Sequence, residues 1–281
     1  MSDLHSLNEA INKKAGRKLL PSIAVSLSLL ALIFVTMKYL PIAFAGVVTA
    51  AVVLSVSELT RAFKTADFKV SQFQLSVATT ALMVSSWFGG VAGLAVATAL
   101  LLPILYFLIL LKGITGFVKN STAATFTLLY LGFFGGFLIL LARPNDGLLN
   151  IATLVILVGC NDTFAYIFGV LLGKHALAEK ISPKKTWEGF AGGLVFTAIG
   201  GALAFHYMLE YNPLIGAAVG VLCVITATVG DLIESALKRD LSIKDMGSLL
   251  PGHGGMLDRL DSALLTAPSL WCVLELIKRF S

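Results

Sequence analysis

The chain has 281 residues, of which 57% are hydrophobic and 13% charged, with a formal net charge of +5. Soluble domains are about 45–50% apolar on a comparable count, and the long apolar runs of this chain exclude a water-soluble globular fold. The basic excess is not a nucleic-acid footprint either, because the cytoplasmic loops of membrane proteins carry surplus Lys and Arg.

Residues 1–18, with Lys13, Lys14, Arg17 and Lys18 near their end, read as a cytoplasmic N-terminal arm. The apolar run that follows lacks a small-residue cleavage site and more spans come after it, so it is expected to stay as a helix. Apolar runs long enough to cross a bilayer then predict nine spans: 20–37, 41–56, 75–91, 94–111, 123–141, 148–172, 189–207, 214–232 and 260–277. The third and fourth are divided only by Gly89, Gly90 and Gly93. This is an all-α polytopic integral membrane protein with about nine transmembrane helices. Residues 19–150 supply N-terminal transmembrane helices, and 151–281 a C-terminal transmembrane catalytic region with cytoplasmic loops 173–188 and 233–259.

With the N-terminus cytoplasmic, all of the 21 basic residues except Lys38, Arg143, Lys278 and Arg279 fall on the cytoplasmic side, the asymmetry that sets membrane orientation. The two loops richest in polar residues then face the compartment that holds nucleotides. Cys160, Cys223 and Cys272 all lie in apolar segments without CxxC spacing and read as buried small hydrophobes, not disulfides or metal ligands.

Three polar clusters interrupt the apolar sequence, all in the C-terminal half. The first is Asn161-Asp162-Thr163-Phe164-Ala165-Tyr166, inside a span. A carboxylate there is costly and faces a partner or a polar cavity; Tyr166 shares its helix face. The second is Ser182-Pro183-Lys184-Lys185-Thr186-Trp187-Glu188-Gly189. Taken alone it reads as a basic anchor with an interfacial Trp. Beside the other clusters, its lysines, hydroxyls and the free N–H groups of the next helix make a phosphate cradle.

The third cluster starts at Gly230-Asp231 and ends at Asp261. Asp231, Glu234, Ser235 and Lys238 fall at i, i+3, i+4 and i+7, one helical stripe. Pro251-Gly252-His253-Gly254-Gly255 supplies flexible backbone for close approach to a ligand. Asp258 and Asp261 stand one turn apart at the start of the last helix, where one carboxylate serves the helix dipole. His253 alone does not make a zinc site; the hard oxygen donors favour magnesium.

At Ser235, Lys238, Arg239, Lys244, Asp245, Gly247, Pro251, His253, Gly254, Gly255, Asp258, Arg259 and Asp261 the chain resembles the phosphatidate cytidylyltransferases, or CDP-diacylglycerol synthases, without departure from their signature. The NDTFAY and SPKKTWEG segments resemble the family's other polar motifs, so the likeness spans about residues 155–265. It implies a fold of multiple membrane helices, a homodimer, and CMP transfer from CTP to phosphatidate; the compact single-domain chain, for its part, fits a bacterial inner (cytoplasmic) membrane. It also implies a paired-metal centre with Mg2+, a K+-like second ion, and Asp231 and Asp258 as ligands.

On that footing Asp162, Glu234 and Asp261 are further metal ligands or lie just behind them. Lys238, Arg239 and Arg259 neutralise the triphosphate. Lys184 and Lys185 bind a phosphate, and Ser182, Thr186, Lys244 and His253 complete the substrate contacts. Two other readings compete: another CTP-using membrane lipid enzyme (a polyprenol or phytol kinase, or a CDP-archaeol synthase) and an ion-coupled transporter. The length of the Ser235–Asp261 match argues against a kinase. The concentration of charge at one membrane edge, without an internal repeat, argues against a transporter.

Overall fold

The computed structural model describes residues 19–143, 145–247 and 254–280. The N-terminal arm and His253, with Pro251 and Gly252, lie outside the described residues. In chain order the elements are α1 (Leu19–Tyr39), α2 (Pro41–Thr65), α3 (Gln72–Leu110), α4 (Phe117–Ala142), α5 (Gly147–Leu172), β1 (Ala176–Ala178), β2 (Ser182–Thr186), α6 (Trp187–Tyr207), α7 (Pro213–Asp240) and α8 (Leu257–Phe280). Among the described residues, seven helices, α2 to α8, are long and apolar enough to cross a membrane. The chain is a multi-pass membrane protein.

Local chemistry sets the helix starts. Pro41 and Pro213 occupy first-turn positions, where a missing N–H costs nothing. Ser71 and Asn212 accept the N–H groups of Gln74 and Leu214 as N-caps.

The long α3 is not straight. Gly90 has φ 63° and ψ −153°, a conformation essentially reserved for glycine. Three residues later, a Cβ on Gly93 would collide with the Ser85 carbonyl. Eight residues of straight helix span about 12 Å, so the chain has folded back on itself. The division expected between 75–91 and 94–111 falls at this reversal. The first arm is buried through Leu75, Ala78, Leu82 and Ser86, whereas the second exposes Val96, Leu100, Ile104 and Phe107 along one side. An exposed apolar stripe of this kind suits contact with lipid.

The core is built chiefly from α2, α3 and α4; Val52, Val56, Leu59, Leu82, Leu131 and Ile139 are fully buried. The helices α5 to α8 pack in sequence, each on the next, and α8 lies back against α4 and reaches α2. Small residues make those contacts close: a Cβ on Gly201 of α6 would strike the backbone of Gly216 in α7.

Four sequence expectations change. A short antiparallel hairpin, with Ala176 opposite Thr186 and Ala178 opposite Ser182, stands in the segment read as a loop. Helix α2 runs to Thr65, well beyond residue 56, so Glu58 is inside a helix. Helix α7 runs to Asp240, so the start of the 233–259 loop is helical. Of the three free cysteines only Cys223 is buried, and Cys272 is exposed: an apolar segment in a bilayer has an outward face that a soluble core does not.

Candidate active site

The three polar clusters converge. Helices α7 and α8 touch backbone to backbone at Gly230, where any Cβ would run into the Asp261 carbonyl. This brings Asp231 against the first turns of α8. The Ser262 hydroxyl donates to one carboxylate oxygen of Asp231, and the Lys185 ammonium of β2 pairs with the other. One turn on, Lys238 pairs with Glu234, as its i, i+4 spacing predicts, and also reaches Asp258 at 3.0 Å. The second oxygen of Asp258 accepts the Gly255 N–H at 2.6 Å.

Asp162 enters from α5. Its side chain is exposed, accepts from the Asn161 amide at 3.2 Å, and lies within electrostatic reach of Asp231, Lys185 and Arg259. Asp261, whose carboxylate accepts the Ser262 N–H at 2.8 Å, lies within reach of Asp231, Asp162 and Lys185. Arg239 donates from Nε to the Ile181 carbonyl at 3.3 Å, tying the end of α7 to the turn of the hairpin.

The hairpin separates the two lysines. Neighbouring side chains in a strand point to opposite faces, so Lys185 turns in towards Asp231 while Lys184 is exposed. Ser182 is half-buried at the start of β2, and Lys244 is exposed beyond α7. Thr186 is the N-cap of α6: its Oγ1 accepts the Gly189 N–H at 3.1 Å. Trp187 donates its N–H to the His175 carbonyl, and Glu188 accepts its own N–H as well as those of Lys174 and His175. The expectation of free N–H groups at this helix start is therefore corrected. The segment's own carboxylate and hydroxyl take them, and Lys185 is left as its charged contribution to the site.

At the end of the glycine-rich turn the described N–H groups are likewise taken. The N–H groups of Met256 and Leu257 donate to the two carboxylate oxygens of Glu58, each at 2.9 Å, and Asp258 takes that of Gly255. This part of the turn is packed on protein rather than open to a ligand. Gly254 does adopt a positive φ of 81°, which a glycine provides without strain.

Sequence reasoning missed three residues: Glu58, Ser262 and Tyr130. Tyr130 lies in a π turn of α4 (Leu128–Phe133), a local geometry frequent at functional sites. Its hydroxyl is buried without a hydrogen-bond partner among the described residues and stands within electrostatic reach of Asp261, Glu234 and Asp231. A lone acid in the apolar run 41–65 was the one available signal for Glu58.

Does this donor set fit a magnesium ion? Asp162, Asp231 and Asp261 lie within electrostatic reach of one another, and the two cations beside them, Lys185 and Arg259, do not fully balance three carboxylates. Among the described residues no three His, Cys, Asp or Glu side chains are grouped as a ready-made metal site. Magnesium asks for less: one or two carboxylates, with waters and substrate phosphates completing its shell. Surplus negative charge on hard oxygen donors fits such an ion.

The family model of the Cytidylyltransferase family matches residues 22–277. A phosphatidate cytidylyltransferase of Mycobacterium bovis is 34% identical over 277 residues, covering 94% of this chain and 90% of that protein. One from Mycobacterium leprae is 43% identical over 164 residues, 58% of this chain and 53% of that protein. One from Staphylococcus aureus is 41% identical over 150 residues, 52% of this chain and 57% of that protein.

Proposed function

This chain belongs to the cytidylyltransferase family, and we propose that it transfers CMP from CTP to phosphatidate, giving CDP-diacylglycerol and diphosphate. The observation that carries the reading is a pair of charged groups on successive turns of α7: Asp231 with Lys185, Asp162 and Asp261, and Lys238 with Glu234 and Asp258. The name these relatives carry, phosphatidate cytidylyltransferase, points the same way.

A phosphatidate oxygen attacks the α-phosphorus of CTP. A P–O bond forms there, the bond to the bridging oxygen of the β-phosphate breaks, and diphosphate leaves with the electron pair. A phosphate monoester is largely dianionic at neutral pH, with a second pKa of about 6, so no side chain has to remove a proton. The difficulty is bringing two anions together, and positioned charge does most of that work in phosphoryl transfer.

In this reading Lys185, Lys238, Arg239 and Arg259 offset the phosphates' charge, and Lys244 approaches from outside the cluster. Asp231 and Asp258, supported by Asp162, Glu234 and Asp261, hold Mg2+, which when bound neutralises polyphosphate charge. A monovalent ion such as K+ is the second cation. We place the N-terminus in the cytoplasm and count nine spans. This topology takes α1 and both arms of α3 as crossings, and the skew of basic residues supports it. The enzyme is read as a homodimer of the bacterial inner membrane.

The test is purified protein with phosphatidate in detergent and CTP labelled at either the α- or the γ-phosphate, with and without EDTA. Label from the α-phosphate in lipid, lost with EDTA, is expected. Label from the γ-phosphate in lipid would instead indicate a kinase, and no labelled lipid at any magnesium concentration overturns the proposal.

A further inference from the structure

Glu58 is 4% exposed and lies on α2, almost 200 residues before the groups it holds. A buried carboxylate needs a counter-charge or donors. Glu58 finds both at the N-terminus of α8, where the first N–H groups have no partners within the helix and the helix dipole is positive. With Gly255 donating to Asp258, the three successive N–H groups of residues 255, 256 and 257 all end on carboxylates.

The mounting is rigid on both sides. On α2, Val56 and Leu59 flank Glu58 and are fully buried. On the other side Gly247 and Gly255 press against the carboxylate: a Cβ on either would overlap its oxygens. Both glycines belong to the stretch that carries the polar signature, and their lack of a side chain is what admits Glu58.

The first turns of α8 carry Asp258, Arg259 and Asp261. Whatever fixes the start of α8 therefore fixes where those three groups stand relative to Asp231 and Lys238. We propose that Glu58 is a positioning residue for the CMP-transfer reaction: it clamps the end of the glycine-rich turn and the first turn of α8 onto α2 without touching either substrate. The inference rests on the function proposed above and assigns the N-terminal half of the chain a part in it. Misplacing reacting groups by about 1 Å costs up to roughly 100-fold in rate, so the effect belongs in kcat more than in KM.

The experiment compares wild type with Glu58→Gln, Glu58→Ala and Gly255→Ala, purified as the full chain in detergent. Two readouts are taken: kcat and KM for CTP and phosphatidate, and amide hydrogen exchange along the chain, which reports local opening. Glu58→Gln, which keeps size and one acceptor oxygen, is expected to lower kcat roughly tenfold or more with KM for CTP changed less than about threefold. Its exchange should rise in 254–262 and stay as wild type through α2 and α3. Gly255→Ala should do the same from the other side of the contact. The proposal is overturned if Glu58→Gln keeps wild-type kcat and wild-type exchange in 254–262. It is also overturned if exchange rises evenly along the whole chain, which marks a purely structural prop. Should Glu58→Ala fail to fold, the Gln variant decides. Should wild type make no CDP-diacylglycerol, the functional reading fails on its own, while the exchange contrast still accepts or rejects the clamp.

Discussion

Lys238→Met removes the ammonium that Glu234 and Asp258 share. Lys238 is 20% exposed, Glu234 3% and Asp258 12% in their side chains, so bulk water screens the group little. At the 3.0 Å separation of Lys238 and Asp258, an effective dielectric constant of 20 makes the attraction about 5–6 kcal/mol. Desolvation offsets much of this in the wild type, so the pair's net contribution is small. Its removal is another matter, because two neighbouring carboxylates are left without their cation, and breaking such a buried pair costs about 3–5 kcal/mol. Met preserves the length and apolar stem of Lys, which confines the change to charge.

Unfolding of the purified protein by graded SDS should show that loss for Lys238→Met. Adding Glu234→Gln removes one of the orphaned charges, and the double variant should recover most of the stability, a coupling of the kind a double-mutant cycle isolates. Turnover should not recover, because in the proposed mechanism Lys238 is one of the cations that offset the triphosphate's charge. A Lys238→Met protein within about 0.5 kcal/mol of wild type, the range of an ordinary surface substitution, would refute the shared ion pair.

Four other outcomes follow from the site. Asp231→Asn and Asp258→Asn should each abolish lipid labelling while the protein still inserts in the membrane, checked by activity and by yield in detergent. Lys185→Ala should reduce kcat/KM at least about tenfold more than Lys184→Ala, since only Lys185 faces Asp231; equal losses would show that the hairpin does not separate them. Gly230→Val should prevent the close approach of α7 and α8, seen as lost stability in the SDS titration and lost activity together. Thr186→Ala should cost about 1 kcal/mol of stability as a lost N-cap with little change in KM for either substrate; a large rise in the phosphatidate KM would instead make Thr186 a substrate contact.

Much of the architecture was legible in the order of residues. A helix that crosses lipid must be a long apolar run with its backbone bonds satisfied internally, so the spans at 148–172 and 189–207 lie close to α5 and α6, and the span at 214–232 shares its start with α7. The hairpin reversal at Gly90 was legible for a related reason, since few residues besides glycine adopt its backbone conformation. The stripe of Asp231, Glu234 and Lys238 also followed from helical period alone, and Lys238 does pair with Glu234 as that period predicts.

What the sequence could not supply were partners distant in the chain. Lys185 meets Asp231 across 46 residues and Glu58 meets Met256 across 198, and neither spacing has a period. Which N–H groups remain free was also beyond it: Thr186, Glu188, Asp258 and Glu58 consume those at the starts of α6 and α8, and only packing shows which carboxylate or hydroxyl reaches them first. Sequence by itself determined a membrane-embedded, helical chain with acids and bases gathered near its C-terminal end, because hydropathy and helical period are local properties. Tertiary structure alone decided that Lys185 turns inward while Lys184 does not, and that Glu58 reaches from α2 to hold the start of α8. Charge pairing and the satisfaction of buried N–H groups depend on distance in space, which the order of residues does not record.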